Sequence, residues 1–326
     1  MTTPTFSVVV PLYNKADSVS GTVRSVLEQT FTDFELIVVD DGSTDGSLDA
    51  IASFRDDRIR VITQVNGGVS RARNAGIAAA RASYVALLDA DDVWHADFLK
   101  RIHNLIRIYP EASAYATQYA FRHGCNDCPP NHPRLKSLSP QLIDDYFHQV
   151  AVGDMLLTAS SVCIPRAVLE RTGSFPVDER IGEDQDLWIR LALHGPIAWD
   201  NRCSAYYRQD AGAMATRSLV DDTPWPFVFR LLQRLNEGDI PASQEDDAKT
   251  YAARHLLGQA GQLVLDGRSQ SAMRLLSEPV ARSGGLRYCY WRTLSFLPAT
   301  PAARLGRFTG AIKRLVLRRL SPTRVV

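Results

Sequence analysis

The segments FSVVVPLYN (6–14) and FELIVVDDGSTD (34–45) decide the fold class of this chain. Each begins with a run of apolar, valine-rich residues, which predicts strands from Phe6 to Leu12 and from Phe34 to Val39 that are covered on both faces. Each ends in polar residues. Between them, residues 17–29 place apolar side chains at helical spacing. A strand, a helix and a second strand in this order are typical of an α/β protein with a largely parallel sheet.

The same alternation continues outward from these segments. Further strands are predicted at 58–62, 84–88, 114–121, 160–164, 197–199 and 205–207. Helices are predicted at 47–54, 70–82, 96–109, 165–171 and 184–194, and we interpret the polar residues 123–139 as an inserted loop. From residue 224 onward only helical patterns follow, at 225–236, 244–265, 268–277 and 303–320. An α/β domain followed by a helical C-terminal region is therefore expected.

Length and composition narrow the class of protein. With 326 residues, 45% of them hydrophobic, the chain can bury a sizeable core. The start lacks the pattern of a secretory signal, and no run approaches the roughly 20 apolar residues of a membrane span, so we expect a cytoplasmic protein. Five cysteines at scattered positions suit a reducing compartment better than a disulfide framework.

Charge is distributed unevenly along the chain. The net charge is +1, yet the residues from Ala281 onward include ten Arg or Lys and no Asp or Glu. The first 280 residues therefore carry 27 basic and 36 acidic side chains. An acidic body with a basic tail argues against a general nucleic-acid binder and predicts that the tail meets an anionic partner.

Polar motifs follow three of the predicted strands, namely PLYN (11–14), DDGS (40–43) and DADD (89–92). In an open parallel sheet the carboxyl ends of the strands line the crevice where ligands bind, so these motifs are expected to share one site. Tyr13 can stack on a base, and the carboxylate of Asp41 can accept a hydrogen bond from a ring N–H. A nucleotide is the ligand that this pair favours.

The Asp-x-Asp element at Asp89 and Asp91 predicts a site for a divalent cation. Carboxylates two residues apart at a strand end can face the same side, and Mg²⁺ or Mn²⁺ is typically held by one or two carboxylates and by phosphate oxygens. These acids can instead cap the following helix, although three acids at one buried strand end repel each other unless a cation intervenes. The sequence contains neither a P-loop nor a dinucleotide-binding fingerprint.

A second acidic motif, GEDQDLW (182–188), opens a predicted helix in the second half of the chain. Acids in the first turn are favoured by the helix dipole, which is one explanation of the pair Glu183 and Asp184. The glycine turn before them also lets one carboxylate face a cleft. There it can take the proton from an attacking hydroxyl as a general base.

Taken together, the motifs VVVPLYN (8–14), VVDDGSTD (38–45), NGGVSRARNAG (66–76), LDADD (88–92) and GEDQDLW (182–188) resemble those of family 2 inverting glycosyltransferases. The resemblance covers roughly residues 5–210. It implies a GT-A fold, with a Rossmann-like, mostly parallel sheet and flanking helices, over residues 1–212. The nucleotide-sugar half would span about 1–120 and the acceptor half about 121–212, followed by the helical region 213–326. It also implies a nucleotide-sugar donor, often a UDP-sugar, and inversion at the anomeric carbon.

The resemblance assigns roles to individual residues. Asp184 would be the catalytic base, with Glu183 as the alternative, and Asp91 would be the principal metal ligand, assisted by Asp89. Asp92 would shape the turn or assist these two acids, and Arg73 and Asn74 would help hold the loop that faces the donor. The residues expected to bind the donor are Pro11, Tyr13, Asp40, Asp41, Arg73 and Asp89.

Two other activities remain compatible with the motifs. A sugar-nucleotide pyrophosphorylase or nucleotidyltransferase would use the same acids and metal, but no glycine-rich, lysine-containing phosphate loop follows the first strand. A catalytically silent nucleotide-sugar-binding scaffold would bind the donor without turnover. Intact acidic motifs favour an enzyme over this alternative.

Two further features carry hypotheses of their own. The four residues His123, Cys125, Cys128 and His132 have spacings that either suit zinc or leave free thiols in a loop. Residues 303–320 form a basic amphipathic pattern that either lies on an anionic membrane, where a lipid-linked glycan acceptor would be found, or packs on protein. The membrane alternative would place the enzyme on the inner face of the plasma membrane.

Overall fold

The structure is a computed structural model that describes residues 3–123, 126–179, 181–208 and 222–296. The chain divides into two compact units, residues 1–215 and 216–326. In the described residues the first unit is an α/β domain and the second is helical.

The strands of the first unit are β1 (Phe6–Leu12), β2 (Phe34–Asp40), β3 (Ile59–Thr63), β4 (Tyr84–Leu87), β5 (Val93–Trp94), β6 (Ala114–His123), β7 (Asn126–Cys128), β8 (Gln141–Ile143), β9 (Val162–Pro165) and β10 (Ile197–Arg208). Its helices are α1 (Ala16–Leu27), α2 (Ser47–Ala52), α3 (Val69–Ala79), α4 (Phe98–Ile108), α5 (Tyr146–Val152), α6 (Arg166–Thr172) and α7 (Glu183–His194), with a 3₁₀ turn at Ala159–Ser161.

All of these strands belong to one mixed sheet, whose main order is β3-β2-β1-β4-β9-β6-β10-β5. Strands β1 to β4 are parallel, and β10 is parallel to β6. Strand β9 runs antiparallel to both of its neighbours, β4 and β6. The carboxyl ends of β1, β2 and β4 therefore meet at one edge of the sheet, and the residues just before β9 lie at the same edge. This confirms the mostly parallel sheet with flanking helices.

Apolar periodicity explains why the helices pack where they do. In α1 the buried residues Val19, Val23 and Val26 follow a spacing of three and four, so they form one stripe against the buried strands. Helix α3 approaches β1 more closely, because a Cβ atom at Gly76 would lie 2.3 Å from Cγ1 of Val9. Only glycine allows this approach, which fixes the height of α3 above the sheet.

Several elements differ from the sequence-based prediction. The two expected strands near residues 200 and 206 form one strand, β10, which stays continuous through register shifts between Asp200 and Ala205. Strand β6 extends beyond 121 and pairs with β7, inside the segment expected to be a loop. Strands β5 and β8 were not predicted, because two or three residues are too few for a periodicity to show, and neither was helix α5.

The second unit contains α8 (Pro226–Glu237), α9 (Glu245–Leu265), α10 (Ser269–Ser277) and α11 (Leu286–Ser295). The long helix α9 packs against the other three. A Cβ atom at Gly261 would lie 2.6 Å from the ring of Trp291, so glycine lets α11 rest directly on α9. None of the helices in the described part of the chain combines the length and the apolar character needed to span a bilayer. The predicted helix at 303–320 lies outside the described residues.

Candidate active site

The loops that follow β1 and β2 are joined by hydrogen bonds, which brings two of the predicted motifs together. The amide of Asn14 donates to Oγ of Ser43 over 3.1 Å, and the amide of Thr44 donates to Oδ1 of Asn14 over 2.8 Å. Asn14 has a φ of 50°, in the left-handed region that asparagine tolerates better than most residues. The two motifs therefore form one wall at the edge of the sheet.

Asp40 and Asp41 are both buried, and their carboxylates organise the neighbouring turns. Asp40 accepts a backbone amide from the turn that follows it. Oδ1 of Asp41 accepts the side-chain amide of Gln64 (2.7 Å) and the backbone amide of Gly67 (2.8 Å), while Oδ2 accepts the amide of Gly68 (2.8 Å). The predicted base-binding carboxylate thus holds the Gly-Gly turn before α3, and Oδ2, which accepts one of these hydrogen bonds, keeps the capacity to accept another.

The two residues of the first motif that were expected to contact the base differ in exposure. Pro11 is buried within β1, whereas Tyr13, just beyond the end of the strand, is 48% exposed. An exposed aromatic ring beside the strand ends offers a stacking surface to a nucleotide base. Tyr13 is thus the more accessible of the two.

Asp89 and Asp91 each form an ion pair with a different basic residue. Asp89 lies 2.7 Å from Arg73 of α3, and Asp91 lies 2.5 Å from Lys15, at the start of α1. The side chains of both acids are 26% exposed. Their mutual repulsion is therefore offset by basic partners within the chain.

The third acid of this segment, Asp92, is buried. The hydroxyl of Ser160 donates to Oδ2 of Asp92, and the amide of Arg208 donates to its Oδ1 over 3.1 Å. Burial, followed by the charge of Asp89, raises the pKa of Asp92 well above its ordinary value. Asp92 therefore fastens the end of β4 to β10 and to the 3₁₀ turn.

Arg73 connects the DADD motif (89–92) with the acidic motif of α7. Its guanidinium is buried, lying 2.7 Å from Asp89 and 3.1 Å from Glu183, residues that are 94 positions apart in sequence. It also lies 5.0 Å from the ring centroid of Phe175. Burial alone would lower the pKa of Arg73, but the carboxylates of Asp89 and Glu183 outweigh this effect and raise the pKa above its ordinary value. Arg73 stays charged and fixes the start of α7 beside the end of β4.

Helix α7 begins after Gly182, whose φ of 79° is in the left-handed region that favours glycine. The next residues, Glu183 and Asp184, lie in the first turn, where the helix dipole favours acids. The amide of Gln185 donates to Oδ1 of Asp184 over 2.7 Å. Burial, reinforced by the charge of Glu183, nevertheless raises the pKa of Asp184 to about 6, although Arg73 acts in the opposite direction. A carboxylate with this pKa suits a general base.

Asn74, which the resemblance places beside the donor-facing loop, holds the segment before α7. Its side-chain amide donates to the carbonyl of Phe175 (2.8 Å), and its Oδ1 accepts the amide of the same residue (3.0 Å). On the other side of this segment Arg190 donates to the carbonyls of Thr172, Gly173 and Ser174. Hydrogen bonds from α3 and α7 therefore hold the chain segment that leads to Asp184.

Sequence reasoning missed two residues that shape the site. Ser160 contacts both ends of the acidic segment, because its hydroxyl also accepts the amide of Asp89 over 3.2 Å. No motif marks this serine, and only the pairing of β9 places it there. Lys15 carried a weak signal, since it directly follows the tyrosine and asparagine of the first motif. A basic residue at one strand end, next to acids at the neighbouring end, is the pattern that could have found it.

The carboxylates of Asp89 and Asp91 fit a hard divalent cation. Among the described residues, no group of three or more His, Cys, Asp or Glu side chains is arranged to hold a metal ion. Two partly exposed carboxylates are nevertheless what Mg²⁺ or Mn²⁺ requires from a protein when substrate phosphates supply further oxygens. The donor set suits these ions better than it suits zinc, which prefers nitrogen and sulfur ligands.

The proposed zinc ligands are only partly described by the structure. Cys125 and the side chain of His123 lie outside the described residues. Cys128 is an exposed free thiol. His132 is buried with its ring edge-on to Trp199, at 5.6 Å between centroids, and burial lowers its pKa to about 4. The described part of this loop therefore supports an aromatic packing role for His132.

Comparison with known proteins identifies the class to which this fold and site belong. The structure resembles that of residues 1–349 of TarS from S. aureus, solved in complex with UDP-GlcNAc. The TM-score is 0.64 at 18% identity, and the alignment covers 88% of this chain and 90% of the other. The fold is accordingly of the GT-A type found in glycosyltransferases.

Sequence relatives give the family. The profile of glycosyl transferase family 2 matches residues 7–163. The putative teichuronic acid biosynthesis glycosyltransferase TuaG of Bacillus subtilis is 30% identical over 238 residues, covering 72% of this chain and 90% of the relative. The Escherichia coli enzyme WfaP, a UDP-Glc:alpha-D-GlcNAc-diphosphoundecaprenol beta-1,3-glucosyltransferase, is 29% identical over 225 residues, covering 66% and 81%. This chain belongs to glycosyltransferase family 2.

Proposed function

We propose that the chain transfers a sugar from a UDP-sugar to a hydroxyl acceptor, with inversion at the anomeric carbon and with the help of Mg²⁺ or Mn²⁺. The observation that carries this proposal is the bridge formed by Arg73. Its guanidinium lies between Asp89 of the DADD motif and Glu183, the residue before the candidate base. A donor and an activated acceptor can thereby meet in one crevice.

The surroundings of Asp41 favour uracil as the donor base. Its carboxylate already accepts three hydrogen bonds, and Oδ2 receives only one of them. The remaining acceptor position matches the single N–H of the uracil ring. Guanine presents two adjacent donors and would need both carboxylate oxygens. Tyr13, exposed at the adjacent strand end, would stack on the base.

The chemistry follows from the positions of the acids. Asp91 and Asp89 would hold the divalent cation, which would supply positive charge to the departing diphosphate. Asp184 takes the proton from the acceptor hydroxyl while that oxygen attacks the anomeric carbon from the face opposite the diphosphate. Direct displacement of this kind inverts the configuration. Glu183 is less suited to be the base, because its carboxylate is already engaged in the ion pair with Arg73.

The relatives support a role in the synthesis of a cell-surface polysaccharide. One is named for teichuronic acid biosynthesis and the other acts on a diphosphoundecaprenol-linked sugar. A lipid-linked acceptor would bring the enzyme to the inner face of the plasma membrane, and the ten basic residues from 281 onward would favour that surface. Co-sedimentation with anionic liposomes tests this part, since a chain ending at residue 300 should bind them less than the full chain.

The test of the enzymatic proposal compares Asp91→Asn and Asp184→Asn with a matched control. Asp178→Asn is the control, because this exposed acid precedes the same helix and asparagine tolerates its φ of 64°. We expect Asp91→Asn to lose Mn²⁺-dependent UDP binding in calorimetry. Asp184→Asn should keep that binding but lose sugar transfer, and the control should keep both.

Two outcomes would overturn the proposal. UDP-sugar binding without transfer or hydrolysis across a broad panel of acceptors would favour the silent scaffold. Synthesis of a UDP-sugar from UTP and a sugar 1-phosphate, with release of pyrophosphate, would indicate nucleotidyl transfer, which the family assignment disfavours.

A further inference from the structure

We propose that Lys15 and a divalent cation compete for the carboxylate of Asp91, so that the cation binds tightly only when a nucleotide diphosphate accepts the lysine ammonium. The inference rests on the proposed function, because it places a donor diphosphate beside Asp91. Nζ of Lys15 lies 2.5 Å from Oδ2 of Asp91, the acid expected to be the principal metal ligand. A cation bound there would meet the ammonium at the same oxygen.

The backbone of Lys15 is held firmly, so the side chain alone can move. Its amide donates to Oγ of Ser47 over 2.8 Å. Its carbonyl accepts the amides of Ser18 (3.0 Å) and Val19 (2.9 Å), which are the first hydrogen bonds of α1. The four-carbon stem of lysine is flexible, and its ammonium is a compact point charge. The charge can therefore leave Asp91 without any change in the loop.

Of the two basic residues that pair with Asp89 and Asp91, Lys15 is the one whose side chain is free to move. Arg73, which pairs with Asp89, is buried and is also bound to Glu183. By contrast, the side chains of Lys15 and Asp91 are 34% and 26% exposed. Asp91, which would bind the cation, is thus paired with a partly exposed lysine, whereas Asp89 is paired with a buried arginine.

A nucleotide diphosphate resolves the competition between the two positive charges. Without it, a cation at Asp91 must displace the ammonium into water against its attraction to the carboxylate. With it, the ammonium can pair with a phosphate oxygen, for which lysine is a common ligand. Cation and nucleotide therefore favour each other's binding, and the coupling must be reciprocal. The enzyme would take up cation and donor together instead of holding the cation at rest.

The test is calorimetry of Mn²⁺ and UDP binding to the full chain, without acceptor and therefore without turnover. Lys15→Met keeps the length of the side chain and removes its charge. Lys100→Met removes the same charge from an exposed position of α4 and serves as the control. We expect Lys15→Met to bind Mn²⁺ alone about fivefold more tightly than the wild type and UDP alone about fivefold more weakly, at the lower end of typical coupling factors. The control should match the wild type in both measurements.

The results separate this inference from the function on which it rests. If the wild type binds Mn²⁺ and UDP, but Lys15→Met shows unchanged or weaker Mn²⁺ binding, the competition is wrong and the proposed function stands. The competition is also wrong if Lys15→Met binds UDP without Mn²⁺ as tightly as the wild type does. If the wild type binds neither ligand, the proposed function itself fails.

Discussion

The raised pKa of Asp184 predicts a specific dependence of stability on pH. The pKa rises from an ordinary value of 3.8 to about 6 in the folded chain, chiefly through burial. The folded state therefore holds the proton more tightly than the unfolded state does. Stability from this group is fully present below about pH 4 and is lost as the pH rises through 6. The pKa differs by roughly two units between the unfolded and folded chain, and each unit is worth about 1.4 kcal/mol. Ionised Asp184 therefore lowers the free energy of unfolding by about 3 kcal/mol at pH 8.

Replacing Asp184 by Asn should remove this loss. We expect the free energy of unfolding of Asp184→Asn, measured in urea at intervals from pH 4 to 8, to exceed that of the wild type by up to about 3 kcal/mol at pH 8. At pH 4 the two proteins should be nearly equal. Asp178→Asn should leave the pH dependence unchanged, since its side chain is 71% exposed. In the wild type, kcat should rise with pH through about 6, because the base must be ionised to act.

Two observations would refute this reasoning. A difference between wild type and Asp184→Asn that does not vary with pH would show that the carboxyl is not desolvated. A variant less stable than the wild type at pH 8 would show that Arg73 stabilises the charged form by more than burial costs.

Three further substitutions test the supports of the site. Ser160→Ala removes the hydroxyl bound to buried Asp92 and should lower the free energy of unfolding in urea by about 2 kcal/mol; an unchanged value would contradict that role. Gly76→Ala should cost about 1–3 kcal/mol by the same measurement, because the new methyl group would lie 2.3 Å from a side chain of β1. Arg71→Ala breaks an exposed pair with Asp178 and should change stability by less than about 1 kcal/mol and leave UDP affinity in calorimetry unchanged; a larger loss would mean that this pair also orders the site.

The part of the fold formed by β1 and β2 was predictable because both strands are fully buried. Strand β1 has the predicted bounds, Phe6–Leu12, and the apolar run of β2 was predicted to within one residue. Their ends could be placed at one edge from the rule that parallel strands share a carboxyl side. It was therefore predictable that the motifs after these strands lie close together, but not which side chains bind one another.

The side-chain partners within the site come from positions that are far apart in sequence. The contact of Arg73 with Glu183 spans 110 positions, and the hydrogen bond of Ser160 with Asp92 spans 68. The repulsion expected among the acids of the Asp-x-Asp segment was sound as physics, but the sequence could not show that Lys15 and Arg73 offset it. The pKa of Asp184 likewise depends on burial, which a local motif does not encode.

The reversed strand β9 has a consequence for how this domain can be made. It lies between β4 and β6, so the parallel strands β1 to β4 gain their next neighbour only when residues 162–165 are in place. A fragment ending before β6 would leave β4 as an open edge, able to pair with other chains. During synthesis the first hundred residues must therefore wait for a strand made more than fifty residues later. The half that carries the PLYN, DDGS and DADD motifs is, for this reason, not a module that could be cut out and moved on its own.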